Sequence, residues 1–263
     1  MPFTAKLVML SPCVLFFLIN AVFIFISVLL LCLVRKISHY QIRKSQNDVI
    51  ATIFNKAGAI FGIMIAFVVV ILWQEYNKSR DYALKEGTEA LELYRDLSLY
   101  PNPKKAAEAI KLLAEFAKLV IAEEYPAMAE MRMSQVTEKV LNNLRNELHN
   151  IIPQKPREQI LYNKLLRDFE SLSRLRQNRL LSMESSLPFI VWMVLIAGTI
   201  IMIMFSIFLG GEKLWLHILM TSMLAIILAN AFYLIIELDY PFMGDLCAKP
   251  TSYIEMLKVI NVK

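Results

Sequence analysis

The chain has 263 residues, 57% of them hydrophobic, with only 7 glycines and a formal net charge of +5. A soluble domain of this size is about 45–50% apolar. Here four long runs lack Asp, Glu, Lys and Arg altogether, and the charges crowd between them. That division excludes a wholly water-solvated protein, and the interleaving of acidic with basic residues gives no nucleic-acid-binding surface.

The first apolar run covers residues 7–34. About 20 helical residues cross the hydrocarbon core, so this run spans with length to spare. It is too long for a signal-peptide core of about 7–15 residues, and 31–36 offers no cleavage context, so a retained helix is expected. Cys13 and Cys32 lie inside it, and Cys247 lies near the C-terminus. No CxxC and no Cys/His spacing occurs, so neither a disulfide framework nor a metal site is expected.

The second run, 57–73, is close to the shortest that spans. Gly58, Gly62 and Ala66 recur four apart on one face. That spacing lets another backbone approach closely, and it serves tight packing or a pore-facing role equally well. Residues 77–186 then read as a water-exposed helical domain. A helix over 77–99 stops at Tyr100-Pro101-Asn102-Pro103, where Asn102 is the expected cap and Pro103 the first helical position of the next. Pro126 is expected to break or kink the chain there. A third helix is expected over 127–150, and Pro153 and Pro156 mark the break before a fourth that leads to the membrane. Glu123 and Glu124 are adjacent on a helix, so they point about 100° apart and share no site.

The third run, 187–209, opens on Pro188 and carries Trp192 at an interfacial position. Gly210-Gly211-Glu212-Lys213 is a short turn, which forces an antiparallel hairpin with the fourth run, 214–236. His217 and Asn230 are the polar residues of that run. His217 lies in the first turn and is expected to reach headgroups.

The fold class is therefore an all-α integral membrane protein, with four transmembrane helices and a helical extramembrane bundle between helices two and three. The divisions expected are 1–76 (helices 7–34 and 57–73), the water-exposed domain 77–186, the membrane hairpin 187–236, and a C-terminal tail 237–263. No glycine-rich phosphate loop, HExxH or GxSxG is present, so no enzyme, cofactor or metal is expected. Arg174, Arg176 and Arg179 precede the third membrane helix. They read either as an anchor on lipid headgroups or as a positive vestibule that concentrates anions. With four spans, both termini share a side with the 77–186 domain. Loop 35–56 carries Arg35, Lys36, Arg43, Lys44 and Lys56 against Asp48, while the domain side offers Lys6, Lys78, Arg80, Lys85, Arg167, the three arginines and Lys249. The count leans towards a cytoplasmic domain and cytoplasmic termini.

Three stretches carry a family resemblance. One is Gly58-Ala-Ile-Phe-Gly62 running into Trp73-Gln-Glu-Tyr76, then Glu86-Gly-Thr-Glu-Ala90 and Leu99-Tyr-Pro-Asn-Pro103. Another is Arg174-Leu-Arg-Gln-Asn-Arg179 followed by Leu187, Pro188 and Trp192, and the last is Leu238-Asp-Tyr-Pro-Phe-Met-Gly244. The layout resembles the bestrophin-like family of bacterial membrane proteins, distantly similar to bestrophin anion channels. The resemblance implies a bacterial inner-membrane protein surrounded by lipid. It also implies a pentameric homo-oligomer passing small anions such as chloride, with the second membrane helix lining an apolar neck. Ile63, Phe67 and Ile71, four apart, are then the neck candidates, with lipid-facing or core packing as the equal alternative. The stretch Asp239, Pro241, Phe242, Gly244 looks like the turn that follows the last bestrophin helix, where animal members bind calcium. Calcium wants six to eight oxygens, and only Asp245 follows the glycine here, so a structural turn is expected. The rival function is a non-conducting membrane scaffold or sensor whose helical domain binds a protein partner.

Overall fold

The computed structural model describes residues 7–8, 10–37, 44–183, 187–209, 213–244 and 246–261. Lys6, Arg43, Gly210, Gly211, Glu212 and Asp245 lie outside the described residues. The described elements are helical, in two compact units: Pro2–Gln74 with Ser186–Asp239, and Glu75–Ser185 with Tyr240–Lys263.

The first unit holds α1 (Pro12–Ile37), the opening part of α2 (Lys44–Ser98), α7 (Phe189–Phe208) and α8 (Leu214–Leu238). These are the four described helices long and apolar enough to cross a membrane. α1 lies mainly along α8, with ring contacts Phe16–Tyr233 and Phe23–Phe232 and a hydrogen bond from Asn20 Nδ2 to Asn230 Oδ1 at 3.1 Å. Leu31, Phe61, Met202, Ile203, Ile207 and Leu228 form the apolar centre. Lipid tails are as apolar as these side chains, so close fit and interhelical polar contacts supply the cohesion.

Two features of this unit differ from expectation. His217 is buried, and its Nε2 donates to the Ser206 carbonyl oxygen at 3.0 Å, beside a Ser206–Thr221 hydroxyl pair at 3.1 Å. The antiparallel hairpin therefore satisfies Nε2 within the protein, while Nδ1 is buried with no hydrogen-bond partner among the described residues. The tightest approach is at Gly198 on α7, where a Cβ would fall 2.6 Å from Phe61 Cδ2. Gly198→Val is expected to cost about 1–3 kcal/mol by overpacking, read as a lower melting temperature of the purified protein in detergent. An unchanged melting curve would remove Phe61 against Gly198 as a packing determinant.

The second unit is built from the remainder of α2, α3 (Pro103–Leu119), a π-helical turn (Val120–Glu124), α4 (Tyr125–Ala129), α5 (Gln135–His149), α6 (Pro156–Met183) and α9 (Thr251–Asn261). Its core runs from Ala90, Leu93 and Leu97 on α2 through Leu113 and Phe116 on α3 and Leu144 and Leu148 on α5 to Leu165, Phe169 and Leu172 on α6. α2 is one helix of 55 residues, with no break where a membrane segment gives way to charged sequence. Asn102 takes the cap position of α3 with extended backbone but makes no side-chain cap bond. Pro126 does not break the chain. The preceding π-turn, closed by the Tyr125 N–H on the Val120 carbonyl, accommodates it, and the helix runs on to Ala129. The actual stop is Met131, at φ 56°, and the next helix starts at Gln135, where Ser134 Oγ accepts from Thr137 N. The C-terminal segment also departs from a simple tail. α9 places Tyr253 and Met256 in the core of this unit.

Asp96 on α2 and Asp168 on α6 meet around Lys164, which bonds Asp96 and lies 3.9 Å from Asp168 Oδ2. Burial, then the hydrogen bond to Asp96 and the charges of Asp96 and Glu89, push the Asp168 carboxyl up to about 6 against the opposing pull of Lys164. Protonated Asp168 is the form the fold prefers. Its contribution is therefore complete below the ordinary carboxylate range and is lost as pH rises through about 6. Asp168→Asn is expected to be more stable than wild type at pH 7 and to lose that advantage towards pH 4, in melting curves taken across that range. A parallel pH dependence in both proteins would refute it.

Candidate functional site

α2 presents two unlike faces in its membrane part. At 100° per residue, Phe61 and Leu72 point one way and are buried, while Ile60, Ile63, Phe67, Val70 and Ile71 gather on the opposite side and are exposed. The exposed face is thus a continuous strip of bulky apolar side chains. Of the small residues four apart, a Cβ at Gly58 would lie 3.1 Å from Met202 Cε, whereas one at Gly62 would meet nothing within 4 Å. Ala66 is exposed. Close approach within this chain is therefore confined to Gly58 among the three, and the group that approaches is a side-chain methyl.

The arginine stretch divides. Arg174 is exposed, but Arg176 and Arg179 are buried. Arg176 forks onto Glu124, with Nη2 2.8 Å from Oε2, and also bonds Glu138. Arg179 bonds Glu86 on α2, with Nη2 3.0 Å from Oε1, and also Glu124, and it stacks 5.0 Å over the Tyr125 ring. Tyr253 Oη donates to the same Glu86 oxygen at 2.7 Å. Burial opposes the charge of each arginine, yet the paired carboxylates raise both guanidinium pKa values. Arg176 in turn holds the Glu138 carboxyl below its usual range. The positive charge of Arg176 and Arg179 is spent on carboxylates inside the unit, so neither is a lipid anchor or a vestibule cation.

The π-turn aims Glu124 inward, while neighbouring Glu123 stays exposed. π-turns recur at functional positions because they rotate one side chain out of helical register. At Gly87, one residue past Glu86, a Cβ would sit 3.0 Å from the Tyr253 backbone nitrogen, which explains a glycine where α2 meets α9. Sequence reasoning missed Glu86, Glu124 and Tyr253. One signal was available: Leu165, Phe169, Leu172, Arg176, Arg179 and Met183 recur at three- and four-residue steps, so the two arginines ride the apolar face of α6 and Arg174 does not.

After α8, Asp239 is buried and its Oδ1 accepts from the Leu187 N–H at 2.7 Å. Beyond it, Ala248 N donates to the Pro241 carbonyl at 2.8 Å, Gly244 adopts φ 68°, and Phe242 packs among Met128, Leu180, Met183 and Ala248. Only glycine takes that φ without strain. Among the described residues, no group of three or more His, Cys, Asp and Glu is placed to hold a metal ion.

A four-span helical membrane protein with a helical unit built around a buried ionic cluster is the class these features define. The bestrophin-like domain model matches residues 21–253, and the chain belongs to that family. Its fold is similar to crystal structures of a bacterial bestrophin homologue from Klebsiella pneumoniae. A leucine-to-threonine variant matches at TM-score 0.68 and 12% identity, covering 96% of this chain and 100% of that one. An aspartate-to-alanine variant matches at 0.67 and 12%, covering 96% and 98%. No curated protein matches the chain.

Proposed function

We propose that this protein is an oligomeric, bestrophin-like anion channel in which α2 of each subunit lines an apolar neck through Ile63, Phe67 and Ile71. The observation that carries this reading is the two-faced α2. Its Phe61–Leu72 side is committed within the chain, while a strip of bulky aliphatic and aromatic groups is left over. Around a symmetry axis such strips form a narrow, dewettable constriction. Family membership and the shared fold support the assignment. The same reading sets the protein in a bacterial inner membrane as a pentamer, with the helical unit and both termini in the cytoplasm and small anions such as chloride as the permeant species.

Purified protein in planar bilayers tests it, together with mass photometry and averaged particle images. A chloride current from particles with five-fold symmetry is the expected result. No current from a monomeric or dimeric particle would leave the scaffold reading in its place.

A further inference from the structure

One end of the helical unit, where α2 gives way to α3 and α5 to α6, carries an exposed apolar surface. Leu99, Ile152 and Ile160 are 74%, 69% and 70% exposed, the most solvent-facing large apolar side chains of this unit. The segments that present Leu99 and Ile152 are joined, and Ile160 stands on the opening turns of α6. Lys105 Nζ donates to the Ile152 carbonyl at 2.7 Å, and the Gln154 N–H donates to Glu158 Oε2 at 2.9 Å. Between them Tyr100 is buried, and that burial, then the charge of Glu158, pushes its phenol pKa up. Around the apolar groups stand the exposed cations Lys104, Lys155 and Arg157. Glu158 is the one acid in 99–105 and 150–160, and it is engaged with its own loop.

We propose that this end of the unit docks an acidic segment of a partner protein that also carries apolar side chains. Charge complementarity selects the occupant: Lys104, Lys155 and Arg157 are exposed, while the acids nearest them in sequence, Glu108 and Glu158, are bonded to Lys111 and to the Gln154 N–H. The apolar groups are aliphatic; Leu99 and Ile152 sit on loops joined by the Lys105–Ile152 bond and Ile160 on the opening turns of α6, so docking costs little ordering. A bilayer surface favours Trp and Tyr at its interface, and this surface presents neither outward. A peptide segment matches separated aliphatic knobs with a basic rim.

The test uses the full chain in phosphatidylcholine nanodiscs and a random glutamate–tyrosine copolymer as the probe, with polyglutamate alongside. The copolymer is expected to bind more tightly than polyglutamate. K155E should weaken copolymer binding about fivefold and Ile152→Ser about threefold, while K139E, an equal charge change on α5, leaves it unaltered. Equal weakening by K139E would reduce the effect to net charge and overturn the proposal. So would equal binding of both polymers. Stronger capture by phosphatidylglycerol vesicles than by copolymer would assign the surface to lipid instead. Self-association that Ile152→Ser abolishes would assign it to a second copy.

Discussion

Arg179→Leu is expected to destabilise the helical unit by about 3–5 kcal/mol, the usual cost of removing one partner from a buried ion pair. The guanidinium is buried and serves two carboxylates at once, Glu86 and Glu124, besides stacking on Tyr125. Leucine returns some burial energy but leaves Glu86 with only the Tyr253 hydroxyl and Glu124 with only Arg176. Arg179→Lys keeps the charge yet cannot fork to both acids, so an intermediate loss is expected. The three tryptophans, Trp73, Trp192 and Trp215, lie on the membrane helices, so their fluorescence is a poor reporter of this unit. Limited trypsin cleavage of the full chain, with the cuts mapped by mass, reads it directly. Cleavage within 103–149 should accelerate in the order wild type, lysine, leucine. Equal cleavage of leucine variant and wild type would mean the cluster contributes specificity and little stability.

This cluster also shows where local pattern stops informing. The four spans were legible because a hydrocarbon slab demands uninterrupted apolar helix, and that demand is written residue by residue. The partners of Arg179 were not. Glu86 lies 93 positions away and Glu124 lies 55 away, in segments whose own composition is that of solvated helix. What betrays a buried arginine is its register with Leu172 and Phe169, and that signal is weak beside a run of three arginines that resembles a membrane flank. Pro126 misled for a different reason. Proline ends an ordinary α-helix because its ring meets the carbonyl four residues back. A π-turn shifts that carbonyl, and the glutamate the turn exposes to the interior is the one both arginines bind. The helix interruption and the ionic cluster are one local solution. α9 is not read from the sequence, where 237–263 stands as a tail; the spacing of Tyr253, Met256, Leu257 and Ile260 is the signal it carries.

Phe67→Ser is expected to raise chloride conductance about tenfold, which corresponds to lowering the barrier by about 1.4 kcal/mol. The exposed strip on α2 is the origin of this barrier. An anion crossing an apolar ring must shed water that no protein group replaces, so the barrier follows the polarity of the narrowest ring. Phe67 is the bulkiest member of the strip and sits at its angular centre between Ile63 and Ile71. A serine there shortens the side chain and offers a hydroxyl to the ion or its water. The control is Phe25→Ser on α1, an equally exposed phenylalanine on a membrane helix. If α2 lines the neck, Phe67→Ser changes conductance and Phe25→Ser does not, because lipid contact is indifferent to the axis. If both variants behave alike, the strip on α2 faces lipid or a neighbouring subunit, and the constriction must be sought on another face. Ile63→Ser and Ile71→Ser then rank the remaining positions, since a helix lining a tapering neck gives its largest effect at one level and smaller ones a turn above and below.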